Sequence, residues 1–181
     1  MPKNNKTVIL GVTASIAIYK ACEIVRQLKK SDLTVKVIMT AEAEELIKPI
    51  VFQSLSGNCV YRAGVFSQPD AWEIAHISLA QEADLILIAP ATANILAKLA
   101  SGICDDLLTC TICASKAKVI IAPAMNENMW SNKITQNNVQ KLIAYGYKFV
   151  LPQKGLLACG AVGSGCLADT EVIVKAVKKY L

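Results

Sequence analysis

The chain holds 181 residues, 54% of them hydrophobic and 18% charged, with a formal net charge of +5. That length supports one domain with a single packed core, and that composition suits an α/β protein whose sheet is buried on both faces. The lysines are scattered, as at Lys29-Lys30, Lys116 and Lys118, and Lys178-Lys179. A dense basic run is missing, which disfavours nucleic acid and fits small phosphorylated ligands instead.

Met1 to Lys6 is polar and shows no signal-peptide pattern, so the seven cysteines are expected to be reduced thiols in the cytoplasm. Most of them, including Cys22, Cys104, Cys110 and Cys113, read as small hydrophobes in apolar or helical contexts. The apolar stretch from Leu85 to Ile103 is broken by Pro90, Asn94 and Lys98, so no membrane span is expected.

Lys6 to Val12 reads as a strand, and Thr13-Ala14-Ser15 as the turn after it. The helix that follows places Ile18, Cys22, Val25 and Leu28 on one face. Leu33 to Met39 is the second strand, closed by Thr40 and an acidic helix start at Glu42 and Glu44. Strand, turn, helix, strand is a right-handed βαβ unit in a parallel sheet. The small residues of the first turn let helix-start N–H groups approach a phosphate. They lack the glycines of a dinucleotide fingerprint and the lysine of a P-loop, which leaves a mononucleotide phosphate open. The plainer reading is that Ser15 is only an N-cap.

Pro49 to Ser56 predicts a short helix ending at Gly57, with Phe52 on its apolar side. Asn58 to Trp72 reads as a loop, and the only histidine, His76, opens a helix near the edge of the sheet. Asp84 to Ala89 is the third strand, ended by Pro90, and Ala91-Thr92-Ala93-Asn94 starts a helix running to Gly102. Together with the turn at Thr13 and with Thr40, these residues form a polar rim with few charges, suited to a flat heterocycle and its phosphate. A helix spans Cys104 to Ser115. Its Cys110-Thr111-Ile112-Cys113 formally spells C-x-x-C, but Cys159 and Cys166 have the wrong spacing to complete a zinc site, so no metal is expected.

Val119 to Ala122 is a buried strand that breaks at Pro123 and delivers Met125-Asn126-Glu127-Asn128-Met129-Trp130 to the carboxyl end of the sheet, where open α/β folds bind ligands. An equally open reading makes Asn126 and Asn128 caps and the methionines and Trp130 packing residues. Ser131 or Asn132 caps the next helix, which stops at Gly146. Tyr147 to Leu151 is the last strand. Pro152 to Asp169 carries four glycines and two cysteines and reads as a long, mobile, functional loop. An amphipathic helix with Val172, Ile173, Ala176, Val177 and Tyr180 closes the chain. The fold class is α/β, a three-layer doubly wound parallel sheet of Rossmann or flavodoxin type.

These residues resemble the flavin-dependent cysteine decarboxylase family over nearly the whole chain. Pro123-Ala124-Met125-Asn126-Glu127-Asn128-Met129-Trp130 matches its P-x-M-N-x-x-M-W motif in full. Ser15-Ile16-Ala17-Ile18-Tyr19-Lys20 resembles its phosphate turn and first helix, and Ala89-Pro90-Ala91-Thr92-Ala93-Asn94 its flavin-contacting turn. Leu157-Ala158-Cys159-Gly160 resembles the start of its substrate-clamp flap. Thr13-Ala14-Ser15 stands where bacterial relatives often carry a glycine pair, and Cys166 where Arg or Ala is expected.

The resemblance implies a single decarboxylase domain over 1–181 with a flap at about 152–169. It implies FMN as cofactor, held by Ala14, Ser15, Ile16, Thr40, Phe52, Thr92, Ala93, Asn94 and Ala124. Its implied catalytic residues are His76 as acid/base, Asn126 on the substrate carboxylate and Cys159 as proton donor. Asn126, Met129, Ala158 and Cys159 would bind 4′-phosphopantothenoylcysteine, whose decarboxylation serves coenzyme A biosynthesis. A homo-oligomer is implied, a trimer or dodecamer of trimers with His76 offered from a neighbouring chain, and a separate chain for the ligase step. The alternatives are a peptidyl-cysteine decarboxylase or a non-enzymatic flavin-binding regulator.

Overall fold

The structure, a computed structural model, describes residues 5–62, 75–156, 160 and 162–181. Chain order begins with β1 (Thr7–Val12), a 3-10 turn (Ile16–Ile18), α1 (Tyr19–Lys29), β2 (Thr34–Met39), α2 (Ala41–Leu46), α3 (Pro49–Ser56) and β3 (Val60–Tyr61). It continues through α4 (Ala75–Glu82), β4 (Leu85–Ala91), α5 (Ala93–Ser101), α6 (Leu107–Ala114) and β5 (Lys118–Pro123). The last third adds α7 (Glu127–Ser131), α8 (Lys133–Ala144), β6 (Lys148–Phe149), β7 (Gln153–Leu156), β8 (Val162–Cys166) and α9 (Thr170–Tyr180).

Six strands form one parallel sheet in the order β3-β2-β1-β4-β5-β6. The chain builds outward from β1 in one direction and then, from β4, in the other. The order therefore reverses between β1 and β4, and the crevice outside their carboxyl ends is the natural ligand site of such a sheet.

The strand sequences explain the layering. In β1 the side chains alternate, with Val8, Leu10 and Val12 facing α1, α3 and α9, and Ile9 facing the other side. That second side is covered by α4, α5, α6 and α8 through Leu79, Ile95, Leu96, Leu108, Ile112, Val139 and Leu142. Every residue of β4 is buried. A strand covered on both faces reads as a continuous apolar run, as this one does. At ~25 cal/mol per Å² of apolar area, these two cores supply the main stabilising term.

The structure differs from the sequence reading in four places. Pro90 lies within β4 rather than ending it, and the β4–β5 register shifts between Ile88 and Ala91. A proline is tolerated where the ladder is already irregular. The stretch Asn58 to Trp72, read as loop, holds the short strand β3 beside β2; residues 63–72 of it lie outside the described residues. Pro152 to Asp169 is not an irregular loop, because β7 and β8 pair as an antiparallel hairpin. Of the cysteines read as small hydrophobes, Cys104 and Cys113 are exposed and Cys110 half-buried. Cys104 lies beside Cys113, and burial together with that neighbouring thiol pushes its pKa up to about 11.

Two polar devices fix the helix starts. Thr13 is 2% exposed. Its hydroxyl donates to the Pro90 carbonyl at 2.7 Å and accepts the Thr92 N–H at 3.1 Å, tying the β1 turn to the β4 turn. Asp106 caps α6 reciprocally: its carboxylate accepts the Thr109 N–H at 2.8 Å, while the Thr109 hydroxyl accepts the Asp106 N–H at 3.2 Å. Lys98 adds an ion pair to Asp106 at 3.0 Å. Burial raises the Asp106 pKa, but the Thr109 N–H, Lys98 and the Thr109 hydroxyl outweigh it and hold the carboxyl below its usual range.

Thr13→Val keeps the shape but strands a buried carbonyl and N–H, so urea denaturation is expected to show a loss of about 1–3 kcal/mol. Asp106→Ala should cost about 1–2 kcal/mol by the same measurement at neutral pH. Because the folded carboxyl is the stronger acid, its contribution is complete above the ordinary value of 3.8 and fades as pH falls through the lower folded value. The gap between wild type and Asp106→Ala should therefore close in acid. A gap that stays constant down to that range would remove Asp106 ionisation from the account.

Candidate active site

Two clefts open at the carboxyl ends of β1, β4 and β5. The larger has a volume of about 720 Å³ and the smaller about 300 Å³. They meet over Ala14, Thr92, Ala93 and Met129, which line both. The topological switch point thus holds one continuous crevice in two lobes.

The floor of the crevice is the pair of turns joined by Thr13. In the β1 turn, Ser15 accepts the Ala17 N–H at 3.4 Å and so caps the 3-10 turn, as the plainer sequence reading had it. In the β4 turn, the Thr92 hydroxyl accepts the Ile95 N–H at 3.4 Å. The first N–H groups of a helix have no intrahelical acceptor. Those of Ala93 and Asn94, both lining the smaller cleft, remain for a ligand, with the α5 dipole favouring an anion there. Thr40 lines the same lobe and caps α2 through the Ala43 N–H. Small side chains, hydroxyls and free N–H groups suit a flat heterocycle with a phosphate, so the donor set fits a flavin.

The far wall comes from the end of β5. The Ala124 N–H donates to the Ala91 carbonyl at 2.9 Å, which keeps the β5 end in line with the β4 turn. Asn126 follows, and its Oδ1 accepts the Asn128 N–H at 2.8 Å as the cap of α7. The capping and ligand readings of Asn126 are therefore compatible: the cap occupies the amide oxygen. Among the described residues no hydrogen bond reaches its Nδ2, which leaves that donor for an acceptor in the larger cleft. Met129 is 48% exposed and forms part of the same wall.

The roof is the β7–β8 hairpin. Leu156, Gly160, Gly165 and Cys166 line the larger cleft from it. Ala158 and Cys159 fall between the two strands in sequence and lie outside the described residues. Of the other residues expected at the site, Ala14, Ser15, Ile16, Thr92, Ala93, Ala124, Asn126 and Met129 come together around the larger lobe, and Thr40 and Asn94 join around the smaller. Phe52 does not: its side chain is fully buried in the α1-side core and lines neither lobe. An apolar residue on a short helix carried no signal that could separate core from cofactor wall. His76, in the first turn of α4, also lines neither lobe of its own chain.

Tyr19 and Lys20, which the sequence placed in the stretch resembling the phosphate turn and first helix but to which it gave no site role, line the larger cleft from the start of α1. Among the described residues Lys20 has no carboxylate partner and no acid lines the larger lobe. In the smaller lobe Glu42, Lys98 and Asp106 all contribute, but Lys98 is committed to Asp105 at 2.7 Å and to Asp106. The signal for Lys20 was available: it is the second residue of α1, two positions past the 3-10 segment that Ser15 caps. Among the described residues, no group of three His, Cys, Asp or Glu side chains is arranged to hold a metal ion. No helix among them is long and apolar enough to cross a membrane.

Comparison with known proteins agrees with this geometry. The chain is 46% identical over 177 residues to the coenzyme A biosynthesis bifunctional protein CoaBC of Bacillus subtilis, covering 98% of this chain but 43% of that protein. It is 44% identical to a Streptococcus mutans protein named as a phosphopantothenoylcysteine decarboxylase, covering 97% of this chain and 99% of that one. Among solved structures, a PPC decarboxylase mutant complexed with pantothenoylaminoethenethiol superimposes with a TM-score of 0.85 at 29% identity, covering 97% of this chain and 98% of that one. The FMN-dependent cysteine decarboxylase SpaF gives 0.81 at 31% identity, covering 95% and 97%. The Flavoprotein family model matches residues 1–181, and the chain belongs to that family of flavin-binding proteins.

Proposed function

We propose that this chain is a phosphopantothenoylcysteine decarboxylase, which uses FMN to release CO₂ from 4′-phosphopantothenoylcysteine and form 4′-phosphopantetheine for coenzyme A. The observation that carries the reading is the two-lobed crevice. The small, donor-rich rim a flavin needs runs along both lobes, from Thr40 and Asn94 in the smaller to Ser15, Ile16 and Ala124 in the larger, and the larger also brings Lys20, Asn126 and the hairpin around one space. The near full-length likeness to the Streptococcus mutans protein supports the same substrate.

The chemical need is clear. Direct loss of CO₂ from an acylated cysteine leaves a carbanion with no sink. Bound FMN would supply reversible oxidation of the side-chain carbon to a thioaldehyde, which places a C=S group β to the carboxylate. Everything else falls to the protein. Asn126 Nδ2 hydrogen-bonds the carboxylate and orients it for departure. Lys20, on the other wall, pairs with the phosphate. Cys159, carried between β7 and β8, donates a proton to the enethiolate left by CO₂, and the hairpin keeps water out.

His76 serves as acid/base beside the substrate thiol from a neighbouring chain, in a trimer or dodecamer of trimers. Its position outside both lobes of its own chain supports that arrangement. So do the exposed apolar side chains of Ile16, Tyr19 and Ile50, which an oligomer contact would cover. The flap is the hairpin with its connecting residues, and the single unit 1–181 is the decarboxylase domain. The six described cysteines are free, which suits a cytoplasmic enzyme.

Incubation of the purified flavoprotein with 4′-phosphopantothenoylcysteine should yield 4′-phosphopantetheine, with loss of CO₂ read by mass spectrometry. Turnover of a peptide ending in cysteine, with this substrate untouched, would overturn the reading in favour of a peptidyl-cysteine decarboxylase. Bound flavin with neither activity would move the regulator forward. Cys159→Ser should stall the reaction at an oxidised or enethiolate species, and full turnover by it would remove Cys159 from its role. Lys20→Ala should raise KM for the phosphorylated substrate about tenfold while leaving that for its dephospho analogue near wild type.

A further inference from the structure

The hairpin makes few connections to the rest of the molecule at its β8 edge, and they converge on one short stretch. The Met125 N–H donates to the Gly165 carbonyl at 3.0 Å. The Ser164 N–H donates to Glu127 Oε1 at 3.1 Å. Both contacts depend on glycine. Gly165 has φ +138, and a Cβ there would sit 2.2 Å from the Met125 carbonyl oxygen. A Cβ on Gly163 would sit 2.4 Å from Glu127 Oε2. The backbone of β8 is bare where it meets Met125 and Glu127, and Asn126 lies between those two residues.

We infer that Glu127 is a positioning residue, a latch whose carboxylate fixes the β7–β8 hairpin over the cleft and holds it in register with Asn126. The inference rests on the decarboxylase reading for its consequence in turnover, but not for the latch itself. Three features of the geometry carry it. An ionised carboxylate accepting a backbone N–H makes a stronger bond than a neutral acceptor. The contact binds a strand by its main chain, so its effect passes to the whole antiparallel pair through the β7–β8 register. Glu127 stands in the first turn of α7, directly after the Asn126 cap, so its placement and that of Asn126 are set by the same turn.

The latch lies on the larger cleft, away from Thr40 and Asn94. Among the described residues no hairpin residue lines the smaller cleft, whereas Leu156, Gly160, Gly165 and Cys166 line the larger one. Loosening the hairpin should therefore disturb the larger cleft and leave the smaller one as it is. That split separates a latch from general damage.

The test uses the purified flavoprotein and three variants: Glu127→Ala, Glu127→Gln and Gly163→Ala. Amide hydrogen exchange should speed up at Ser164 and along the hairpin by roughly tenfold or more in Glu127→Ala, with the urea midpoint kept. Glu127→Gln retains an acceptor oxygen and should recover most of the protection. Gly163→Ala should copy Glu127→Ala by driving the carboxylate off, and combining the two should add little. With 4′-phosphopantothenoylcysteine, kcat/KM should fall about tenfold in Glu127→Ala and return largely in Glu127→Gln. Unchanged hairpin exchange in Glu127→Ala overturns the latch, as does a fall in the urea midpoint without a local change. Wild-type protein inactive on this substrate overturns the decarboxylase reading instead, and the exchange measurement still decides the latch.

Discussion

The hydroxyl of Thr13 is the interaction on which the site depends. It spends its one proton on the Pro90 carbonyl and accepts the Thr92 N–H, so the turns after β1 and β4 share a single buried atom. Those turns flank the reversal of strand order, the one place where a parallel sheet leaves a crevice between diverging helices. Without the shared atom two backbone groups would be buried unpaired, and the separation of the helix starts would be set only by apolar packing, which is less directional. Everything ligand-facing is then built outward: Ala14 and Ala93 keep the rim low, Thr92 starts α5, and the Ala124 N–H to the Ala91 carbonyl brings the β5 end alongside.

The sheet was legible in the sequence because its strands are buried on both faces. Runs such as Val8-Ile9-Leu10 and Leu85-Ile86-Leu87-Ile88 admit no alternation and need no partner to be recognised. Helix starts were legible wherever a hydroxyl or amide caps them, as at Thr40, Thr92, Asn126 and Asn132. Most of the expected cofactor rim followed, since turns after buried strands must lie at one edge of the sheet. What failed to show were features decided by tertiary contact. Pro90 reads as a breaker, yet it stays in β4 because its carbonyl is claimed by Thr13 across the crevice. Phe52 reads the same whether it faces a core or a ligand.

The hairpin was hidden for a related reason. Glycine is a poor strand residue on its own, and four glycines between Pro152 and Asp169 argue for loop. In β8 they serve a different end, because Gly163 and Gly165 are buried against Glu127 and Met125, where any side chain would collide. A glycine inside a strand marks another group approaching its backbone closely. The sequence shows the glycine but not the group, which lies 36 residues earlier for Glu127 and Gly163 by their numbering. Long-range pairing of that kind is visible only once β5 and β8 have been brought together.

The charge distribution around the larger lobe bears on how such a site could favour decarboxylation. In the proposed reading the substrate carries a phosphate and a carboxylate, and the lobe offers Lys20 and the neutral Asn126 amide, with no acid lining it among the described residues. A cation placed on the carboxylate would stabilise the ground state most, because the negative charge leaves that carbon as CO₂ forms. Binding energy spent there would lower KM and raise the barrier together. A neutral amide whose oxygen is already committed to capping α7 orients the carboxylate with one weaker donor and loses little when it departs. The strong cation is better used on a phosphate that stays charged throughout, where its attraction is the same before and after the reaction. A hairpin closed over the lobe then sharpens the difference, since both contacts strengthen as water is excluded, but only the phosphate contact must last to the product.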